Sequence, residues 1–248
     1  MNILLTNDDG IFGQGLQTFY HELKKIGKVT VVAPDRERSS IGHGITLAYP
    51  IWYKRVYQLK RFFGYAVSGT PADCVKLGIR VILRKQPDLV VSGINWGPNE
   101  GCSVFYSGTV AGAREGALMG IPAMAFSLAA FENPLFGPAA KCGAKLLKAL
   151  LKCPLKKGSF FNINIPNARK IRGVKFTRQG LVPIHGHFQK RVNPNLQEYF
   201  WMTGRVPRQK NDLGVDTYAL RKDYATVTPV HCDLTDYELL DRIKSTKI

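Results

Sequence analysis

Two adjacent carboxylates, Asp8 and Asp9, end the opening stretch NILLTNDDG, where an apolar run gives way to acids and a glycine. Neighbouring side chains of a strand point to opposite faces, so these two converge only if the chain is already turning, which Gly10 permits. Held a few ångströms apart at an effective dielectric of about 20, the two charges repel by on the order of 4 kcal/mol. A bound cation removes that penalty. Taken alone, such a pair is also satisfied by an Asx-turn or a helix cap, with water on the second acid. Other clusters weigh against that simpler reading. Ser39 follows APDRER and Asn95 stands in SGIN, each just past an apolar run. With Asp8 and Asp9 they make an all-oxygen donor set, which suits Mg²⁺ or Mn²⁺ rather than zinc. Ser107, Gly108 and Thr109 precede a helix of small residues, whose unpaired N–H groups and partial positive charge would cradle a phosphate. A divalent ion beside an anion cradle is the minimum equipment for phosphoryl transfer to water.

These residues need a scaffold that brings distant strand ends together. NILLTN, a helical pattern through Leu16, Phe19, Tyr20 and Leu23, and KVTVVAP read as a βαβ opening. Residues 50–67 read as a strand pair lying across the core. In SGTPADCV, Thr70 is an N-cap, Pro71 takes the first helical position and Asp73 completes a capping box. PDLVVSG, the helix after SGT, IPAMAFSL, a helix over 137–153 and SFFNINIP continue the alternation. The expected fold is α/β, a doubly wound, mostly parallel Rossmann-like sheet in three α/β/α layers, with ligands beyond the carboxyl ends of the strands. Residues 1–168 read as this catalytic core. Residues 169–248 read as a β-rich, irregular arm followed by a strand and a terminal helix, a tail that either packs on its own core or exchanges with a partner chain.

Composition sets a direction. Thirty-five Lys and Arg against 18 Asp and Glu give a formal net charge of +17, a field that attracts anions. Five scattered cysteines without a CxxC pair argue against a disulfide framework or a zinc cluster and suit a reducing cytoplasm. No segment approaches the ~20 apolar residues of a membrane span. The charge also admits a nucleic-acid-binding protein with the aromatic and basic stretch 52–64 as its platform, but that leaves the acidic strand ends unexplained. A dinucleotide-binding reading places Asp35 as the ribose acid, yet GIFGQG is not the required glycine pattern and the aspartates would repel a pyrophosphate.

LLTNDDG, VVAPDRERS, GTPADCV, VVSGINWGPN and YSGTVAGAREGA, in this order, closely resemble the stationary-phase survival protein SurE family of 5′/3′-nucleotidases. DTYALRKDYATVTPVHCDLT is similar to the family's C-terminal stretch, so the resemblance spans nearly the whole chain. It implies a metal-dependent phosphatase of nucleoside monophosphates, with short-chain polyphosphate as a second substrate. It also implies one Mg²⁺ or Mn²⁺ per subunit on Asp8, Asp9, Ser39 and Asn95, and phosphate held by Asn95, Ser107, Gly108 and Thr109. A homodimer or homotetramer that exchanges C-terminal elements follows from the same resemblance.

Overall fold

The first strand, β1 (Asn2–Thr6), is buried from Ile3 onward, as a central strand covered on both faces must be. The computed structural model describes residues 1–181, 185–205 and 211–246, so the parts of the irregular arm at 182–184 and 206–210 lie outside the described residues. After β1 come α1 (Gln14–Leu23), β2 (Lys28–Pro34), β3 (Tyr53–Gln58), β4 (Arg61–Val67) and α2 (Pro71–Leu77). Then follow β5 (Leu89–Trp96), α3 (Gly108–Leu118), β6 (Ala123–Ala129), α4 (Phe136–Leu150) and β7 (Ser159–Pro166). The C-terminal part holds β8 (Gly173–Phe176), β9 (His185–Val192), β10 (Glu198–Arg205), α5 (Asp216–Leu220), β11 (Tyr224–His231) and α6 (Tyr237–Lys244).

Nine strands form one sheet in the order β3-β4-β2-β1-β5-β6-β7-β11-β8. From β4 to β7 all pairings are parallel, while β3 and β11 run antiparallel to their neighbours β4 and β7. The expected mostly parallel, doubly wound fold is therefore present. The strand pair of residues 50–67 lengthens one edge of the sheet instead of lying across the core. Its β4 pairs with β2 from Gly64 to Val67, with Phe63 and Ala66 packed into the core on one face and Val67 into the core on the other.

Each face carries a core. Leu16, Phe19 and Leu23 of α1 and Phe136, Ala140 and Leu147 of α4 pack with Leu5, Val91 and Phe126 on one side. Val75 of α2 and Val110, Ala113 and Ala117 of α3 pack with Leu4, Val32 and Val90 on the other. The predicted capping box of α2 is formed, with Thr70 Oγ1 accepting from the Asp73 N–H at 3.1 Å and Asp73 accepting from the Thr70 N–H at 2.9 Å. In α3, Gly112 and Gly116 face the sheet so closely that a Cβ would stand 2.8 Å from Ser92 Oγ and 2.7 Å from Val90 Cβ. Small residues four apart are thus what let this helix lie directly over β5 and β6.

Chain order reverses at β1, since the chain moves to β2 on one side and later to β5 on the other. This is the switch point at which open α/β sheets bind ligands. Asp8 and Asp9 follow β1, and Asn95 lies near the end of β5.

Candidate active site at the carboxyl edge of the sheet

The turn after β1 is built by its own polar residues. Asn7 Nδ2 donates to Gly10 O at 3.0 Å, the Gly13 N–H donates to the same oxygen at 2.8 Å, and Gly10 takes φ +90°. The Ile11 N–H donates to Pro34 O at 2.8 Å, tying the turn to the end of β2. α1 begins at Gly13 with no side-chain cap, so neither aspartate is needed to start it. A helix cap is therefore not the role of either acid.

Asp8 is 4% exposed and points at the start of α3, where Thr109 Oγ1 donates to its Oδ1. Burial pushes its carboxyl above the usual range, partly opposed by the hydrogen bonds of Thr109. Asp9 accepts from the Trp96 N–H at 3.3 Å, and burial together with the Asp8 charge raises its carboxyl to about 7. Among the described residues neither aspartate has a cationic side chain within ion-pair distance. A Cβ on Gly108 would stand 2.8 Å from Asp8 Cβ and 3.3 Å from Arg38 O, which measures how tightly the helix start, the first turn and the β2 loop converge.

The Arg38 N–H donates to Asp8 O at 2.8 Å, bringing the Ser39 backbone beside the pair. Ser39 itself is exposed and its hydroxyl donates to Glu37 Oε1 at 2.5 Å. Asn95 Nδ2 donates to Gly97 O at 2.8 Å. Ser107 Oγ caps α3 by accepting from the Val110 N–H at 3.0 Å. Sequence reading missed Glu37, a third carboxylate whose charge reaches both aspartates. It stands in the DRERS stretch, where it reads as one more solvated charge.

A buried polar network holds the segment between Asn95 and Ser107, and it too was hidden in the sequence. The Asn99 N–H donates to Asn164 Oδ1 at 2.7 Å, Asn99 Nδ2 to Ser127 Oγ at 2.8 Å, and Asn162 Nδ2 to Asn99 O at 2.7 Å. Asp216 of α5 accepts from the N–H groups of Gly101 and Gly180 at 2.8 and 2.9 Å. Two asparagines alternating with apolar residues in SFFNINIP were the available signal, since both must face one layer.

Beside Asp216, burial and then the Asp216 charge raise the carboxyl of Glu100 to about 8, and its Oε2 has no hydrogen-bond partner. The folded chain therefore keeps a proton that the unfolded chain releases near 4.5. Stability conferred there falls as pH rises from about 4.5 to 8. Glu100→Gln should flatten this slope and raise stability at pH 8 by on the order of 1–3 kcal/mol. Urea unfolding of both proteins at pH 5 and pH 8 measures it, and equal slopes would contradict the assignment.

The fold and the site together define a doubly wound α/β protein with an acidic pair set against a helix N-terminus at the switch point. A family model described as Survival protein SurE matches residues 3–185. This chain belongs to the SurE family. The protein named 5′-nucleotidase SurE of Syntrophobacter fumaroxidans is 44% identical over 245 residues, covering 98% of either chain. Its namesake in Chlorobaculum tepidum is 43% identical over 246 residues, covering 98% of this chain and 94% of that protein. The crystal structure of the SurE protein from Aquifex aeolicus superposes with a TM-score of 0.87 at 42% identity, covering 98% of either chain.

Proposed function

We propose that this protein is a metal-dependent phosphomonoesterase that releases phosphate from nucleoside 5′- and 3′-monophosphates, with short-chain polyphosphate as a further substrate. The observation that carries the reading is the acid pair after β1, Asp8 buried and Asp9 half-buried, facing the start of α3 with no cationic partner among the described residues, in a chain whose relatives are named 5′-nucleotidases.

The residues present fit a hard cation. Two neighbouring carboxylates, both destabilised in their charged form by burial, face no protein cation among the described residues. The donor set of Asp8, Asp9, Ser39 and Asn95 is all oxygen, and no described residue donates to Asn95 Oδ1. Among the described residues no three His, Cys, Asp or Glu side chains cluster, so neutral oxygens would complete the shell. When bound, Mg²⁺ or Mn²⁺ supplies charge neutralisation at the phosphate and lowers the pKa of a bound water.

The chain's own residues supply the rest. Asn95, Ser107 Oγ, and the N–H groups of Gly108 and Thr109 would hold the phosphate, with the α3 N-terminus favouring its negative charge. Thr109 Oγ1 keeps the Asp8 carboxyl directed at the site. Asp9, whose carboxyl burial and the Asp8 charge raise in the cation-free chain, would be held ionised by the cation as its second carboxylate ligand. Trp96 and Tyr106, both exposed and adjacent in sequence to Asn95 and Ser107, offer rings on which a base stacks.

Phosphate release from adenosine and guanosine 5′- and 3′-monophosphates tests the reading, with inorganic polyphosphate and ribose 5-phosphate alongside. Turnover of the nucleotides supports it, and no turnover of any phosphomonoester contradicts it. Ser107→Ala should lower kcat by 10²–10³-fold, about 2.7–4 kcal/mol, as loss of one preorganised donor does. Wild-type kcat in this variant would remove Ser107 from the cradle.

Assembly belongs to the same reading. Among the described residues the β9–β10 hairpin pairs only with itself, and it exposes Phe188, Phe200, Trp201 and Met202. Helix α6 buries no residue and exposes Tyr237, Leu239 and Ile243. Apolar faces of this kind support a homodimer or homotetramer that exchanges C-terminal elements. Sedimentation at micromolar protein tests it, a monomer being the contrary result. No helix among the described residues is long and apolar enough to cross a membrane, and a cytoplasmic location goes with the proposal through the unpaired cysteines.

A further inference from the structure

The segment between β2 and β3 carries Ser39, yet residues 35–52 form no helix or strand, and Ser39 is exposed. Nothing in the core fixes its hydroxyl, so its place depends on how the segment is tied on each side. Upstream, the Arg38 N–H donates to Asp8 O at 2.8 Å and Arg38 Nη2 donates to Ser68 O at 2.5 Å. Downstream, the chain passes Ser40 at φ 57° and Gly42 at φ 59°, and the Gly42 N–H donates to Tyr106 O at 2.8 Å. One residue later His43 Nε2 meets Glu115 Oε2 at 2.8 Å.

Glu115 lies on α3, is 3% exposed, and holds Lys76 Nζ of α2 on its other oxygen at 2.6 Å. The remaining charged and titratable neighbours are Arg114 and Cys232, whose Sγ donates to Arg114 O at 3.9 Å. Burial alone would raise the Glu115 carboxyl, but hydrogen bonds from His43 and Lys76 outweigh it and hold the group below its ordinary range. The same helix contacts Asp8 through Thr109. One rigid element therefore reaches both the acid pair and the segment that bears Ser39.

We propose that His43 is a positioning residue, anchored by the buried Glu115 of α3, that fixes the 39–43 segment so that Ser39 stands opposite Asp8 and Asp9. This rests on the nucleotidase reading and assigns a role within its cation site. Loss of the imidazole leaves Glu115 paired with Lys76, so the fold survives while the side-chain tie of the segment is lost. Outer-shell partners of this kind change metal affinity by about 10–100-fold.

The test uses full-length wild type, His43→Ala and His43→Gln, stripped with EDTA and titrated with Mn²⁺ in a calorimeter, with melting curves and phosphate release in parallel. The expected result is Mn²⁺ binding weakened about tenfold in His43→Ala with a melting temperature close to wild type. The Mn²⁺ dependence of phosphate release should shift by the same factor. His43→Gln, whose amide still donates to Glu115, should recover most of the affinity. Wild-type affinity in His43→Ala, or equal loss in both variants, overturns the assignment alone. A wild-type protein that neither binds Mn²⁺ nor releases phosphate overturns the nucleotidase reading and this assignment with it.

Discussion

Asp9→Asn should remove nearly all nucleotide hydrolysis while making the metal-free protein more stable. The loss follows from the donor set. An outer-shell change costs about 10–100-fold, and deleting one of the two carboxylates in the proposed donor set should exceed that, on the order of 10³-fold in kcat/KM. The gain follows from the acid pair. Burial and the Asp8 charge raise the Asp9 carboxyl to about 7 from 3.8, so the folded chain binds a proton that the unfolded chain has released. Stability without cation therefore falls as pH rises from about 4 to 7 and stays low above it. Asparagine carries no charge and should recover on the order of 1–2 kcal/mol at pH 8, after allowance for the partial exposure of this side chain. For a chain of this size that is several degrees in Tm. Melting of both proteins in EDTA at pH 5 and pH 8 separates the effects. A variant that melts like wild type at pH 8, or keeps wild-type turnover, would contradict the cation site.

Gly108→Ala should be nearly as damaging, by steric means alone. A methyl group there would stand 2.8 Å from Asp8 Cβ and 3.0 Å from Asp8 Oδ2, with Arg38 O at 3.3 Å. The helix start, the carboxylate or the β2 loop must give way, and each holds a site residue. A displacement near 1 Å costs about 10²-fold in rate, so kcat/KM should fall 10²–10³-fold with helix content retained. Circular dichroism with phosphate release checks both halves. Unchanged turnover would mean that the contact is soft and that α3 does not abut the reacting group.

What the sequence made legible was local. The Thr70 and Asp73 capping box, the buried run of β1 and the polar clusters after β1, β2 and β5 each depend on residues within a few positions, and the alternation of strands and helices set their common edge. The hidden parts join distant positions. Asp216 holds Gly101 across 115 residues, Glu115 meets His43 across 72, and Asn164 meets Asn99 across 65. No periodicity reports such pairs, because a buried acid on a helix reads as one more solvated charge until the fold covers it. The edge placement of residues 50–67 was similarly out of reach, since strand order depends on which neighbour buries Phe63 and Val67.

Phosphate release from nucleoside 5′-monophosphates in EDTA, followed by restoration with Mg²⁺ or Mn²⁺, decides whether hydrolysis depends on a cation held by the acid pair. Activity should vanish with chelation, return with either ion, and fail to return in Asp9→Asn. Release that persists in EDTA, or that returns equally in Asp9→Asn, would contradict that dependence.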